Sequence, residues 1–349
     1  MKSHGYAAHD KSSPLVPYSF DRRDPGPEDV VVEIAYCGIC HSDIHQARDE
    51  WGNSIYPMVP GHEIVGRVTA VGKNVKRFKE GELAGVGVMV DSCKVCANCK
   101  ADEEAYCEKG FVGTYNSKGY DGVLVQGGYS NNIVCHQRYV HTISAKFGDK
   151  LAAVAPLLCA GITTYSPLRH WGAGKGKKVG VVGLGGLGHM GLKFAHSFGA
   201  HVVQFTTSPD KIEDAKKLGA DEVVISKDPG AMAKHTGSFD FILDCVSAPH
   251  AVDPYMNLLR LNGVLCQVGL PEQPTAVSPF ALITNRRSLS GSMIGGMKET
   301  QGMLDYCADH GIVSDIELIS MDQVNQAYER VVKSDVKYRF VIDMATLKS

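Results

Sequence analysis

Lys178-Val-Gly-Val-Val-Gly-Leu-Gly-Gly-Leu-Gly-His-Met-Gly-Leu-Lys-Phe-Ala-His-Ser-Phe198 joins an apolar run, a glycine turn and an apolar series at helical spacing. Residues 178–182 read as a buried strand and 187–198 as the helix that follows. Between them, Gly183, Gly185 and Gly188 match G-x-G-x-x-G, with Leu184, Gly186 and Leu187 completing the turn. In a chain with 38 glycines the pattern alone is weak. A strand entering it and a helix leaving it are the context a dinucleotide fingerprint requires. Gly183 permits the tight turn, Gly185 lets backbone approach a pyrophosphate, and Gly188 lets helix and strand pack closely. The pyrophosphate would rest on free N–H groups at the helix N-terminus. A glycine-rich turn without a ligand is the alternative.

Downstream, strands are expected at 202–205, 222–225, 239–245 and 263–268, with a helix at 211–218 closed by Gly219. Strand and helix alternate, as in a parallel doubly wound sheet. Upstream the pattern differs. Residues 30–35, 64–71, 83–90, 132–134 and 139–143 read as short strands broken by glycine and proline, an all-β pattern. From about 294, helices at 298–310 and 321–333 and a strand at 338–343 are expected to return to that first domain. The fold class is α/β. A mainly β domain takes 1–160 and 294–349, and a nucleotide-binding domain takes 161–293.

The end of the second strand of the nucleotide unit selects the cofactor. An NAD site carries Asp or Glu there to bond the ribose 2′-hydroxyl. This chain has Phe205-Thr-Thr-Ser-Pro-Asp-Lys211. Thr206, Thr207, Ser208 and Lys211 can bond a 2′-phosphate that a carboxylate would repel, so NADP(H) is expected over NAD(H). Asp210 swinging in would reverse this; it lies past Pro209, beyond the strand end.

Cys93, Cys96, Cys99 and Cys107 have the spacing C-x2-C-x2-C-x7-C, in a lobe at about 91–110. Four thiolates so placed can close a tetrahedral structural zinc site. A bacterial ferredoxin motif continues x3-C-P, whereas here the gap is seven and Glu108 follows. Cys40, His62 and Cys159 stand apart and can build a second, open site; packing roles for each are equally consistent with the residues alone.

Length (349 residues), 44% hydrophobic and 21% charged content suit a soluble globular protein of two domains. The net charge of −2 offers no footprint for nucleic acid or an anionic membrane. Residues 1–15 lack the apolar core of a signal peptide. Residues 151–168 reach membrane-span length, but Pro156, Gly161 and Pro167 interrupt them, so a buried joining segment is expected. Five of the eleven cysteines sit among apolar neighbours with no metal-like spacing, which places the protein in a reducing cytoplasm.

Cys37-Gly-Ile-Cys-His-Ser-Asp43, Gly61-His-Glu63, the four-cysteine lobe, Pro156-Leu-Leu-Cys-Ala-Gly161, Gly183–Gly188 and Asp335-Val-Lys-Tyr-Arg-Phe-Val-Ile-Asp343 together resemble the zinc-dependent medium-chain alcohol dehydrogenases. The likeness runs along nearly the whole chain. It is strongest to the cinnamyl-alcohol-dehydrogenase-like, NADP-dependent aldehyde reductases. The resemblance implies a GroES-like mainly β catalytic domain beside a Rossmann domain, two zinc ions per chain, NADP(H) and an alcohol or aldehyde substrate. It implies Cys40, His62 and Cys159 as ligands of the catalytic zinc, with Glu63 able to enter its coordination sphere.

Asp43 matches the carboxylate that orients the ligand histidine. Ser42 matches the hydroxyl on the substrate oxygen, and His45 the outer member of a proton relay through the cofactor ribose. Arg339 and Thr163 match residues near the cofactor. Asp43 capping a helix that starts at Ser42, and His45 on the surface, are the competing readings. Trp51, Met293 and Ile294 lie where the family lines its substrate channel, although Trp51 and Met293 fit a core equally well. Trp51 also replaces the aliphatic residue usual in the resembling group. Residues 288–297 resemble the strand through which the family dimerises, so a homodimer is expected. The rivals are an NAD-linked polyol or secondary-alcohol dehydrogenase, a zinc-free quinone reductase of the same fold, and a zinc-ribbon module that binds nucleic acid.

Overall fold

A computed structural model describes residues 1–348. The chain divides into two compact units, Met1–Ile162 with the segment from Gly295 onward, and Thr163–Ile294.

The second unit is a six-stranded parallel sheet in the order Glu222–Ile225, His201–Thr206, Lys178–Val182, Phe239–Asp244, Leu259–Gln267, Ser288–Gly291. The chain starts at the third of these positions, moves outward two strands, then returns to build the other half. This is the doubly wound nucleotide-binding order, with its reversal between Lys178–Val182 and Phe239–Asp244. Val179, Val181 and Val182 are buried, as a strand covered on both faces demands. A core of Val203, Phe205, Phe239, Ile242, Tyr255, Met256 and Leu265 lies against one face. The Gly188–Ser197 helix packs on Lys178–Val182 and His201–Thr206, burying Met190, Leu192, Phe194 and Ala195.

The first unit is a mainly antiparallel sheet, in the order His141–Thr142, Leu83–Val86, Ile64–Val71, Asp29–Gly38, Arg339–Asp343, Ile316–Ser320. Asp29–Gly38 carries most of it. One edge pairs Ile64–Val71; the other is shared by Asn132–His136 near its start and Arg339–Asp343 near its end. The C-terminal strand thus completes the first unit. A separate hairpin of Lys2–Ala7 and Val16–Asp21 joins it through Tyr6 N–H to the Tyr129 carbonyl, 2.9 Å.

Several elements differ from the sequence reading. The strand expected over 83–90 splits into Leu83–Val86 and Met89–Asp91. The break is at Gly87, where a Cβ would stand 2.9 Å from the Leu158 carbonyl oxygen. Of 139–143 only His141–Thr142 is strand, because Gln137–Tyr139 form a helical turn. The N-terminal hairpin and the Ile316–Ser320 strand escaped the reading. The segment 151–168 is helical but broken: Ala145–Leu158 and Ala160–His170 meet at 68°. Cys159 sits at that break with φ −129° and ψ −74°. Among the described residues no single helix is long and apolar enough to cross a membrane.

Candidate active site and metal centres

Cys40, His62, Glu63 and Cys159 come from three distant parts of the first unit, and all four are buried. Their ligand atoms lie within 4.8 Å of one another. Each is aimed by its element. Cys40 ends the Asp29–Gly38 strand region and is the N-cap of the His41–Ala47 helix. His62 and Glu63 immediately precede the Ile64–Val71 strand, after Gly61 at φ +105°. Cys159 turns inward at the break between helices.

Asp43 organises the group. Its carboxylate is wholly buried and accepts from Cys40 N (2.9 Å), Gly61 N (3.1 Å), His62 Nδ1 (3.0 Å) and the Tyr129 hydroxyl (3.1 Å). It therefore caps the helix and orients the histidine at once; the helix begins at His41, one residue before the reading. With Nδ1–H committed to Asp43, the free ligand atom of His62 is Nε2, the arrangement that fixes a metal-binding tautomer. The Tyr115 ring stacks on the imidazole at 5.8 Å between centroids.

The two sulfurs are 3.9 Å apart. Two thiolates sharing a tetrahedral zinc at about 2.3 Å would stand roughly 3.8 Å apart. The donor set and its spacing fit zinc. The Cys40 thiol is held well below its ordinary range by the bond from Cys159, with Arg339 and His62 adding to the effect. Burial alone would lower the His62 pKa, yet Asp43 and Cys40 hold it well above its usual value. Burial raises the Glu63 carboxyl to about 7 against the pull of Arg339. Glu63 Oε1 pairs with Arg339, and Oε2 has no hydrogen-bond partner among the described residues. That carboxylate fits only because residue 38 is glycine, since a Cβ there would come within 2.0 Å of Oε2.

Around this centre, the Ser42 hydroxyl lies 3.6 Å from Cys40 Sγ. His45, one turn further, pairs through Nδ1 with Glu50. Its ring stacks between His41 (4.7 Å) and Trp51 (5.1 Å). Trp51 is thus half-buried against His45. Arg339, expected near the cofactor, is buried beside Glu63.

The second cysteine set also gathers its four sulfurs within 4.8 Å. Backbone N–H groups of Cys93, Cys96 and Cys99 each donate to a neighbouring sulfur at 3.4 Å. Such bonds hold the Cys93 and Cys96 thiols below their usual range, as a thiolate cage needs. Cys93 and Cys99 sulfurs are 3.9 Å apart, again a tetrahedral-zinc spacing.

In the second unit Gly183 takes φ +86°, and a Cβ on Gly188 would come within 2.0 Å of the Gly183 carbonyl oxygen. Around Gly185 there is open space. Backbone can therefore approach a pyrophosphate there, and the turn fits a dinucleotide. Thr206 closes the second strand, Thr207 is exposed, Ser208 is half-buried, and Asp210 points into solvent. Lys211 Nζ donates to the Leu184 carbonyl at 3.0 Å, bringing a cation back to the glycine turn. Thr163 is buried in the Ala160–His170 helix, Met293 is largely exposed, and Ile294 is buried with φ +42°.

Glu50, Tyr115 and Tyr129 were not singled out in the sequence. Glu50 was within reach of a local argument, because it lies only five residues after His45, just past the His41–Ala47 helix. The tyrosines were not, because Tyr129 meets Asp43 across 86 residues of chain.

Residues 26–145 match the alcohol dehydrogenase GroES-like domain, and residues 186–309 match the zinc-binding dehydrogenase domain. The chain is 58% identical to aldehyde reductase YahK of Escherichia coli strain K12 over 349 residues, 99% of each chain. Its structure is similar to a cinnamyl alcohol dehydrogenase of Sorghum bicolor, with TM-score 0.97, 44% identity, and coverage of 100% of this chain and 99% of that one. It is likewise similar to a cinnamyl alcohol dehydrogenase of Helicobacter pylori solved with NADP(H), with TM-score 0.93, 43% identity, and coverage of 100% and 99%. With the two zinc-fitting thiol clusters and the glycine turn already in place, these likenesses are decisive: the chain belongs to the zinc-dependent medium-chain alcohol dehydrogenases, in the cinnamyl-alcohol-dehydrogenase-like group.

Proposed function

We propose that this protein reduces aldehydes to primary alcohols with NADPH, taking aromatic or medium aliphatic aldehydes. The observation that carries the reading is the buried Cys40–His62–Cys159 set, its histidine held by Asp43. Zinc at these three residues supplies Lewis-acid polarisation of a substrate oxygen, and NADPH supplies the hydride.

The chain's own residues do the rest. Asp43 keeps Nδ1 of His62 protonated, so Nε2 stays available as a ligand. Ser42, at the edge of the sulfur pair, delivers the proton that the carbonyl oxygen needs as the carbon accepts hydride. His45 restores that proton from solvent, its Nδ1 side fixed by Glu50; a group whose usual pKa is near neutrality suits the exchange. Glu63 shares its charge with Arg339 and keeps one oxygen unbonded, which would be a further oxygen donor for a metal held by Cys40, His62 and Cys159. Arg339 Nε is buried and has no partner among the described residues. Trp51, half-buried against His45, gives apolar surface, which favours apolar aldehydes over sugars.

Thr206, Thr207, Ser208 and Lys211 support NADP(H) over NAD(H), and so does the NADP(H)-bound relative. The edge strand Ser288–Gly291, with Phe280 and Ile283 exposed nearby in sequence, supports a homodimer formed through this edge. No disulfide forms among the described residues, which supports a reducing, cytoplasmic setting. The test is an NADPH-oxidation screen over aldehydes, run before and after chelation. Aromatic and medium aliphatic aldehydes should be reduced, and chelation should abolish the activity. Alcohol oxidation alone, or equal efficiency with NADH, would overturn the reading.

A further inference from the structure

The Met297–His310 helix has 14 residues, and its N-cap, Gly296, has no side chain to cap it. The cap comes from far away in sequence. Glu104 Oε2 accepts the Met297 N–H at 3.0 Å across 193 residues. Glu104 is 1% exposed and stands in the helical turn that ends at Cys107, inside the four-cysteine lobe. A carboxylate at this place both satisfies an orphan N–H and meets the positive end of the helix dipole.

The other oxygen points back to the metal cluster. Glu104 Oε1 accepts from Arg138 Nε (3.2 Å) and Nη2 (2.8 Å), and the same Nη2 donates to the Cys99 carbonyl at 2.7 Å. The next residue, Tyr139, bonds the Ser92 hydroxyl at 2.7 Å, and that hydroxyl lies 3.1 Å from Cys99 Sγ. Lobe and helix start are in close contact: a Cβ on Gly296 would come within 1.7 Å of the Asp102 carbonyl oxygen. Met293 and Ile294 come just before this point. Ile294 has φ +42°, a conformation that a β-branched residue keeps only where its surroundings impose it.

We propose that Glu104 is a positioning residue that couples the four-cysteine lobe to the start of the Met297–His310 helix, so that zinc in the lobe holds the segment Gly295–Met297 in place. This rests on the lobe binding zinc, as read above. Loss of that zinc frees Cys99, loosens the Arg138–Glu104 pair and uncaps the helix. The lobe then acts on the start of the Met297–His310 helix without touching substrate.

The test is hydrogen–deuterium exchange over residues 297–300 of the zinc-loaded protein, with zinc counted in each sample. Glu104→Ala should speed exchange there about tenfold, with little change in the Thr163–Ile294 sheet. Glu104→Gln keeps an acceptor oxygen and should recover most of the protection. Stripping the lobe of zinc should speed exchange in the wild type and add nothing in Glu104→Ala. Two zinc ions per chain with unchanged exchange at 297–300, or an increase spread evenly over the chain, overturns the coupling alone. A wild type with no zinc in the lobe overturns the metal reading and the coupling with it.

Discussion

At the scale of single residues, Asp43 does the most. One buried carboxylate closes a helix, fixes an imidazole and takes a tyrosine hydroxyl. Asp43→Asn leaves one acceptor oxygen and puts a donor against one pair of donors, either Gly61 and His62 or Cys40 and Tyr129. The affinity of the Cys40 site for zinc should fall about 10–100-fold, read by competition with a chromogenic chelator. Lys211 is the matching residue of the second unit. Lys211→Ala should raise KM for NADPH about tenfold and leave KM for NADH within about twofold, because only the 2′-phosphate needs the cation. These residues were legible because each stands in a short motif with a mechanism. Tyr129 and Glu104 were not legible from periodicity or spacing. Their partners are distant in sequence and are brought together only by the fold, and Arg339 beside Glu63 is a pairing of the same kind.

At the scale of elements, the glycine turn and its helix were legible because sterics forces both. A Cβ on Gly188 meets the Gly183 carbonyl oxygen, so Gly188→Ala must push helix from strand. The expected cost is about 1–3 kcal/mol in urea unfolding, with weaker NADPH binding. Strands 64–71, 178–182 and 222–225 were read with their observed limits, since each is a β-branched run bounded by clear breakers. The N-terminal hairpin escaped because His4, Gly5 and Pro17 dilute its pattern and it exists by virtue of its partner at Tyr129. Ile316–Ser320 escaped as a short, half-exposed edge strand.

The loop after Phe239–Asp244 carries a pH-dependent tie. His250 Nε2 bonds the buried Asp244 at 2.9 Å, and this bond, then the Ala248 carbonyl, raises the histidine pKa above 6.5 despite burial. A raised histidine pKa stabilises the fold fully below the unfolded value of about 6.5, and the contribution is lost as pH rises through the folded pKa. The melting-temperature lead of wild type over His250→Gln should therefore be largest at pH 5.5–6 and shrink above neutrality. A lead that grew with pH would contradict the pairing.

At the scale of the whole molecule, two units divide the labour that the chain's chemistry needs. One gathers sulfur and imidazole ligands into two clusters, and the other holds a glycine turn with a lysine beside it, the place we propose for the phosphorylated cofactor. The parallel sheet of the second unit ends in the strand Ser288–Gly291, unpaired on its outer side among the described residues. A dimer through that edge predicts twice the chain mass by light scattering, and Leu289→Pro should shift it to one chain by removing a ladder donor.

The central claim is that Cys40, His62 and Cys159 hold a catalytic metal distinct from the one in the cysteine lobe. Zinc analysis of the purified wild type beside Cys159→Ser tests it most directly. The account predicts two zinc ions per wild-type chain, one per variant chain, and no aldehyde reduction by the folded variant. One zinc ion in both proteins, or full activity in a variant that has lost one, would contradict it.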